Sequence, residues 1–244
     1  MMDRIIRIIF RLIPKKIRRW LTNNCIKIEV YEPAKDALCY LLNLDSLVYQ
    51  LSGFKSIEYN GGCHIKHRVT RYHDFFVNRI KPGERVLDIG CGKGELAYQI
   101  VTKAKGSVVG IDHNEQWLNH ARKNYQYSEL EFILENAEKF IPSEKFDTVI
   151  LSNVLEHIEN RVPFLKKVIK QVQPARLLLR VPMFNRDWRV PLRKELGLLY
   201  FLDPDHYIEY TQESFATEMK SAGLRIAHSE VRWGEIWAEA IPNT

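Results

Sequence analysis

The run Val86-Leu87-Asp88-Ile89-Gly90-Cys91-Gly92-Lys93-Gly94 constrains this chain more than any other segment. It reads as a buried β-strand ending in a tight glycine turn, with a helix starting near Glu95. Three glycines at alternate positions let the backbone turn and approach a ligand closely without a Cβ penalty. A second apolar strand, Ser107-Val108-Val109-Gly110-Ile111, ends in Asp112. An acid there can accept both hydroxyls of a ribose lying over the glycine turn. Together these segments predict a nucleoside-binding crevice at the carboxyl ends of adjacent parallel strands.

Three ligands compete for such a crevice. A nucleoside triphosphate needs Gly-Lys-Ser/Thr closing a longer loop. Here Lys93 is followed by Gly94 and Glu95, and the acid repels phosphate. A dinucleotide asks for G-x-G-x-x-G, whose last glycine would fall where Glu95 stands. Asp88, two residues before the first glycine, suits a cationic end such as the ammonium of a methionine moiety. Downstream, a third strand from Leu130 to Leu134 leads to Asn136-Ala137, placed to meet an adenine edge. A fourth, Phe146 to Leu151, runs into Ser152-Asn153-Val154-Leu155-Glu156-His157.

Taken in order, V-L-D-I-G-C-G-x-G, the acid at 112, N-A at 136–137 and F-D-x-V-x-x-S-N-V-L-E-H at 146–157 resemble the class I S-adenosylmethionine-dependent methyltransferases. The resemblance covers about residues 80–241. It implies an α/β fold: a Rossmann-like, doubly wound sheet of seven strands, mostly parallel with an antiparallel last strand. It also implies S-adenosyl-L-methionine as cofactor. Asp88, Gly90, Cys91, Gly92 and Gly94 would wrap its methionine part, with Asp88 near the ammonium. Asp112 would hold the ribose hydroxyls and His113 would lie beside the adenine. Asn136, with Ala137, would meet the adenine amino group in place of the more usual aspartate. Ser152 and Asn153 would close the pocket beneath the sulfonium.

Methyl transfer from a sulfonium is an in-line displacement, so alignment supplies much of the acceleration. A hydroxyl acceptor must also lose its proton, to a base or with the help of a metal. Two segments supply candidates. Glu156-His157 follows strand four, and Asp205-His206-Tyr207-Ile208-Glu209-Tyr210-Thr211 follows strand five (Leu177 to Val181) and precedes a helix over 212–222. This pairing is similar to a subset containing ubiquinone-pathway O-methyltransferases and the enzymes that methylate small-RNA termini. The resemblance implies a divalent metal on Glu156, His157 and His206, with Asn153 standing where another glutamate can occur. The residues themselves equally admit a direct base or positioning role for the two histidines, or structural hydrogen bonding. Cys63, His64 and His67 lack a fourth ligand with matching spacing for a separate metal site.

The net charge of +6 is local: residues 1–22 hold Arg4, Arg7, Arg11, Lys15, Lys16, Arg18 and Arg19 against Asp3 alone, and the rest is neutral. A neutral body disfavours extended nucleic acid as partner. On a helical projection Ile5, Ile6, Ile9, Leu12, Ile13, Ile17, Trp20 and Leu21 share a broad apolar face, and Pro14 is expected to kink or split the helix or to start a second one. A basic amphipathic segment with an interfacial Trp suits an anionic membrane surface; packing on the domain, a partner chain, or a mitochondrial presequence are the alternatives. No apolar run approaches the ~18 residues that span a bilayer. Cys25, Cys39, Cys63 and Cys91 show no paired spacing, which suits a reducing compartment.

The expected organisation is a basic helical arm (1–22), a helical extension and cap (23–79), and a cofactor-binding domain (80–244) with an insertion at 184–204. Helical spacing marks 36–42 and 44–51, with turns at Gly53 and Gly61-Gly62 and a helix at 64–76 that roofs the cofactor mouth. There Tyr72 or His73 could touch ligand. The insertion reads as a cap whose aromatics suit sugar or apolar faces and whose Arg186, Arg189 and Arg193 suit phosphate or carboxylate. The lead-in K-H-R-x-T-x-Y-H-x-F-F at 66–76 is similar to methyltransferases of bacterial polysaccharide and lipopolysaccharide assembly. That likeness implies O-methylation of a sugar or lipid-linked glycan by a cytoplasmic protein peripheral to the inner membrane face. A quinone or small phenol is the alternative acceptor, and a non-catalytic S-adenosylmethionine-binding regulator the alternative role.

Overall fold

The computed structural model describes residues 10–243 apart from 140, 141 and 143. Five parallel strands, β1 (Arg85–Ile89), β2 (Ser107–Asp112), β3 (Leu130–Leu134), β4 (Thr148–Ser152) and β5 (Arg176–Pro182), form most of a single sheet. The hairpin of β6 (Leu224–Arg232) and β7 (Glu235–Pro242) completes it, with β7 antiparallel to both β5 and β6. The order is β3-β2-β1-β4-β5-β7-β6. The seven-stranded Rossmann-like sheet expected from the motifs is therefore present.

Both faces of this sheet are covered, which is why its central strands read as nearly continuous apolar runs. Successive residues alternate between two cores. Leu87, Val149, Leu177 and Leu179 pack on one face with Phe164 and Leu165. Val86, Ile150, Leu178 and Trp237 pack on the other with Phe76 and Leu96. Asp88 alternates onto the second face with Val86 and is itself buried. From β1 the chain winds outward through β2 and β3, then returns to β4 on the opposite side of β1. Ligands bind at such a reversal, outside the carboxyl ends of the strands.

The helices are α1 (Lys15–Ile28), α2 (Ala34–Tyr59), α3 (Ile65–Thr70), α4 (Tyr72–Val77), α5 (Glu95–Gln99), α6 (Glu115–Asn124), α7 (Arg161–Val172), α8 (Arg189–Glu195) and α9 (Gln212–Ser221). Several expectations change. The two short helices read over 36–51 are one helix, α2, that runs through Gly53; turns come only at Gly61 and Gly62, both with positive φ. The helix read over 64–76 is broken into α3 and α4 at Arg71, held in the left-handed region at φ 53. α1 begins directly after Pro14, as a split there predicts, but extends to Ile28 rather than ending at 22. Ile5, Ile6, Ile9, Arg4 and Arg7 lie outside the described residues. No described helix is long and apolar enough to cross a membrane.

Candidate active site

The turn after β1 has Gly90, Gly92 and Gly94 all at positive φ. At Gly90 a Cβ would also lie 2.6 Å from Val154 Cγ2, so no side chain fits. The turn borders a cleft of about 340 Å³ whose walls include Asp88, Gly92, Cys91, Tyr72, Trp117 and Ser152. Asp88 is the telling residue. It is buried, its Oδ2 has no hydrogen-bond partner, and burial together with neighbouring Asp112 pushes its pKa up to about 8. A buried carboxyl left unpaired is costly, and a cationic ligand end would satisfy it.

Asp112 is also buried but already engaged. Its Oδ2 accepts from Gly92 N at 2.9 Å and its Oδ1 from Asn114 N at 2.8 Å. It therefore clamps the glycine turn, and ribose hydroxyls would have to use its second lone pairs. Cys91 is buried in the turn, with its thiol pKa raised by burial. His113 projects into solvent beside Asp112, 4.0 Å away. Asn136 and Ala137 follow β3. Asn136 is exposed and its Oδ1 accepts from Glu138 N at 2.8 Å, capping its own turn. Ala137 packs against the core on the face opposite Asp88. Neither lines the cleft.

The second group forms beyond β4. Asn153, at φ 57, turns the chain off the strand and donates its N–H to Arg180 O at 2.8 Å. A short 3₁₀ turn (Leu155–His157) then carries Glu156 and His157. The segment after the insertion is held beside it: Tyr210 N donates to Pro182 O, and Tyr207 N to Glu156 O at 2.8 Å. This brings His206 to His157, ring centroids 4.6 Å apart and nearly perpendicular. One ligand atom from each of Glu156, His157 and His206 lies within 4.8 Å of the others.

The electrostatics of this trio are unusual for a structural site. Glu156 is fully buried, neither carboxylate oxygen has a hydrogen-bond partner, and burial pushes its pKa up to about 8. His206 Nδ1 is likewise buried without a hydrogen bond, facing Glu209 Oε1 at 3.5 Å. His157 is exposed, and burial of its ring face and the neighbouring His206 hold its pKa below the ordinary histidine value. One carboxylate, with both oxygens unpartnered, and two imidazoles converging at this distance fit a divalent cation.

Other functional residues are not apparent from motif reading. Arg180 lies within β5, stacked at 3.7 Å over the ring of Tyr72 and paired with Glu235 at 3.0 Å. It joins the cofactor cleft to the Glu156 side. The only sequence signal is a cation inside the apolar run Leu177–Val181, which must be paired when buried. Glu209 anchors the loop carrying His206, accepting from Leu202 N at 2.6 Å and pairing with Arg186. Tyr72 and His73 both line the cleft; His73 is buried, and burial lowers its pKa to about 3. His64 caps α3 through Lys66 N, and His67 packs against Tyr72 and His73.

The insertion arginines are spent internally rather than offered to an anion. Arg186 pairs with Glu209, Arg189 with Asp187 and with Asp45 of α2, and buried Arg193 donates to Leu42 O and Leu199 O, each at 2.6 Å.

Residues 80–184 match the family model described as a methyltransferase domain. That match, to methyltransferase domains in general, covers less than half of the chain. The chain's similarity to a ubiquinone biosynthesis O-methyltransferase of Bradyrhizobium diazoefficiens is 32% identity over 122 residues, 49% of this chain and 47% of that one. Similarity to a pavine N-methyltransferase of Thalictrum flavum subsp. glaucum is 34% over 94 residues, 37% of this chain and 26% of that one. The chain thus spans about half or less of these relatives' length. In three dimensions it resembles magnesium protoporphyrin IX methyltransferase from Synechocystis PCC 6803 with bound SAH, with TM-score 0.56 and 23% identity, covering 71% of this chain and 82% of that one. That likeness establishes the fold.

Proposed function

We propose that this protein methylates a hydroxyl oxygen of a small acceptor, using S-adenosylmethionine held in the cleft beside Asp88. The convergence of Glu156, His157 and His206 directly after β4, whose Ser152 lines that cleft, carries the reading. The bound cofactor supplies an electrophilic methyl, so a C–O bond forms as a C–S bond breaks and the hydroxyl proton must leave. His157, held neutral by its lowered pKa and open to solvent, is suited to receive that proton. Asp88 would face the cofactor ammonium, and the Asp112-braced turn would hold its backbone close. In the alternative, Glu156, His157 and His206 would hold a divalent metal, which would lower the pKa of a bound hydroxyl in place of a base role for His157. Glu209 keeps His206 in place for either role.

A phenolic or quinol acceptor at the cytoplasmic membrane face is the reading we favour. Phe201 packs beside His206, with Tyr200 against Phe201, and the insertion arginines are already paired, which removes the pull on a sugar phosphate. The names of the ubiquinone-pathway relatives support the same choice. A lipid-linked glycan is the second reading, favoured by Trp188, which stands exposed on the insertion and suits a sugar face. In both, the basic arm over residues 1–22 would hold the enzyme near a membrane-borne acceptor.

The test combines the protein and labelled cofactor with phenolic and glycolipid fractions, read by mass spectrometry for a gained methyl group. Transfer should require His157, so His157→Ala abolishes turnover while cofactor affinity stays nearly unchanged. Cofactor binding with no transfer to any hydroxyl would instead support a regulator.

A further inference from the structure

The helices before the domain expose far more apolar surface than a helix at rest in water. α2 has only Ala37 and Leu42 buried. Tyr40, Leu47, Leu51 and Phe54, spaced by 7, 4 and 3 residues, are 49%, 51%, 54% and 67% exposed. That spacing sets all four on one helix face. No charged residue occurs between Ser46 and Phe54. A helix this apolar is ordinarily covered, and contiguous exposed apolar patches mark interaction surfaces.

The adjoining helix indicates the occupant. α1 has no buried residue and exposes Ile17, Trp20 and Ile28. Between Phe10 and Ile28 the chain carries six cations and no acid. A groove of about 430 Å³ along it is lined by Phe10, Lys15, Arg18 and Arg19, an aromatic ring among cations. Pairing two copies through this surface would set like charges together, at a cost. An anionic headgroup layer over an acyl interior matches both features. The link between α1 and α2, residues 29–33, spans at most roughly 17 Å, short enough for one bilayer patch to meet both helices.

We infer that the Tyr40–Leu47–Leu51–Phe54 face of α2 is a second lipid-contacting surface, inserted into the anionic bilayer that the arm engages through its charges. This rests on the reading that the arm binds lipid, and adds the part of the affinity that salt does not screen. It also bears on the site. Ile57 and Gly62, at the end of α2, line the cofactor cleft, and Leu42 O holds Arg193 of the insertion. Lipid contact at α2 is therefore one helix away from both cofactor and acceptor walls.

The experiment uses the full chain and vesicles of phosphatidylcholine mixed with phosphatidylglycerol, at low and high salt. Two variants are compared with the wild type: Leu47→Gln/Leu51→Gln/Phe54→Gln, and Arg18→Glu/Arg19→Glu. Folding of each is verified by its cofactor-induced thermal shift. The triple variant should lose about tenfold or more in vesicle partition, and the loss should persist at high salt. Phe54→Trp should show blue-shifted emission on vesicles. Wild-type partition of the triple variant overturns the inference. So does a solution dimer that the triple variant dissociates while vesicle binding is kept. Loss of binding in the charge variant alone leaves the arm reading standing and rejects this one. Loss in the triple variant alone does the reverse.

Discussion

Asp88→Asn should make the protein more stable and its cofactor binding weaker, and both effects follow from one buried carboxyl. Asp88 has an unpartnered Oδ2 and a pKa pushed up to about 8 by burial and Asp112. In the unfolded chain an aspartate titrates near 3.9. A raised folded pKa means the native state binds the proton more tightly than the unfolded state does. The carboxyl therefore costs nothing below about pH 4, destabilises increasingly as pH rises, and reaches its full penalty above about pH 8. At about pH 7 the penalty is about 4 kcal/mol. The amide is nearly isosteric and does not titrate, so the variant should melt roughly 10 °C higher near neutral pH. Below about pH 4 the two proteins should melt together. In the other direction, losing a charge-assisted bond to the cofactor ammonium costs about 2 kcal/mol, or roughly 30-fold in affinity. Melting curves across pH, with calorimetric titration of S-adenosylmethionine, measure both. A variant that melts like the wild type near pH 8 would refute the account of the carboxyl. One that is stabilised but binds cofactor unchanged would place the ammonium elsewhere.

Glu156 provides a parallel test on the acceptor side. Its pKa of about 8 means that metal must displace a proton, so Mg²⁺ or Mn²⁺ should raise the melting temperature more at about pH 8 than at about pH 6. Glu156→Gln should abolish that shift while itself becoming more stable than wild type as pH rises from about 4.5 towards 8. Arg193→Met leaves the Leu42 and Leu199 carbonyls, now accepting at 2.6 Å, without their donor. It should cost about 3 kcal/mol in chemical denaturation and weaken acceptor turnover more than cofactor affinity, because it releases the insertion from α2.

The sheet is largely legible in the sequence because its strands are covered on both faces. Val86 to Ile89, Val108 to Ile111 and Leu177 to Val181 are apolar runs broken only by Asp88 and Arg180, and the first two end in the glycine and the acid, Gly90 and Asp112, that open the cleft. α2 was less legible. Gly53 resembles a turn, yet one glycine costs a helix only about 1 kcal/mol, and helical residues on either side carry the helix through it. Arg71 gives no sign of the break it makes, since a left-handed arginine is chosen by packing rather than by propensity.

The chemistry divides in the same way. Local sequence by itself determined the glycine turn, the buried Asp88 and the Glu156-His157 pair after β4, because each depends on a strand end and a short turn. Tertiary structure alone decided that His206, about 50 residues later, joins that pair, and that Arg180 comes to stack on Tyr72. It also decided that the insertion arginines close on Glu209, Asp45 and Leu42 instead of facing a ligand, and that Asn136 caps its own turn. A hydrogen bond between distant segments is selected by which groups burial leaves without water. That selection is made only once the whole chain has packed.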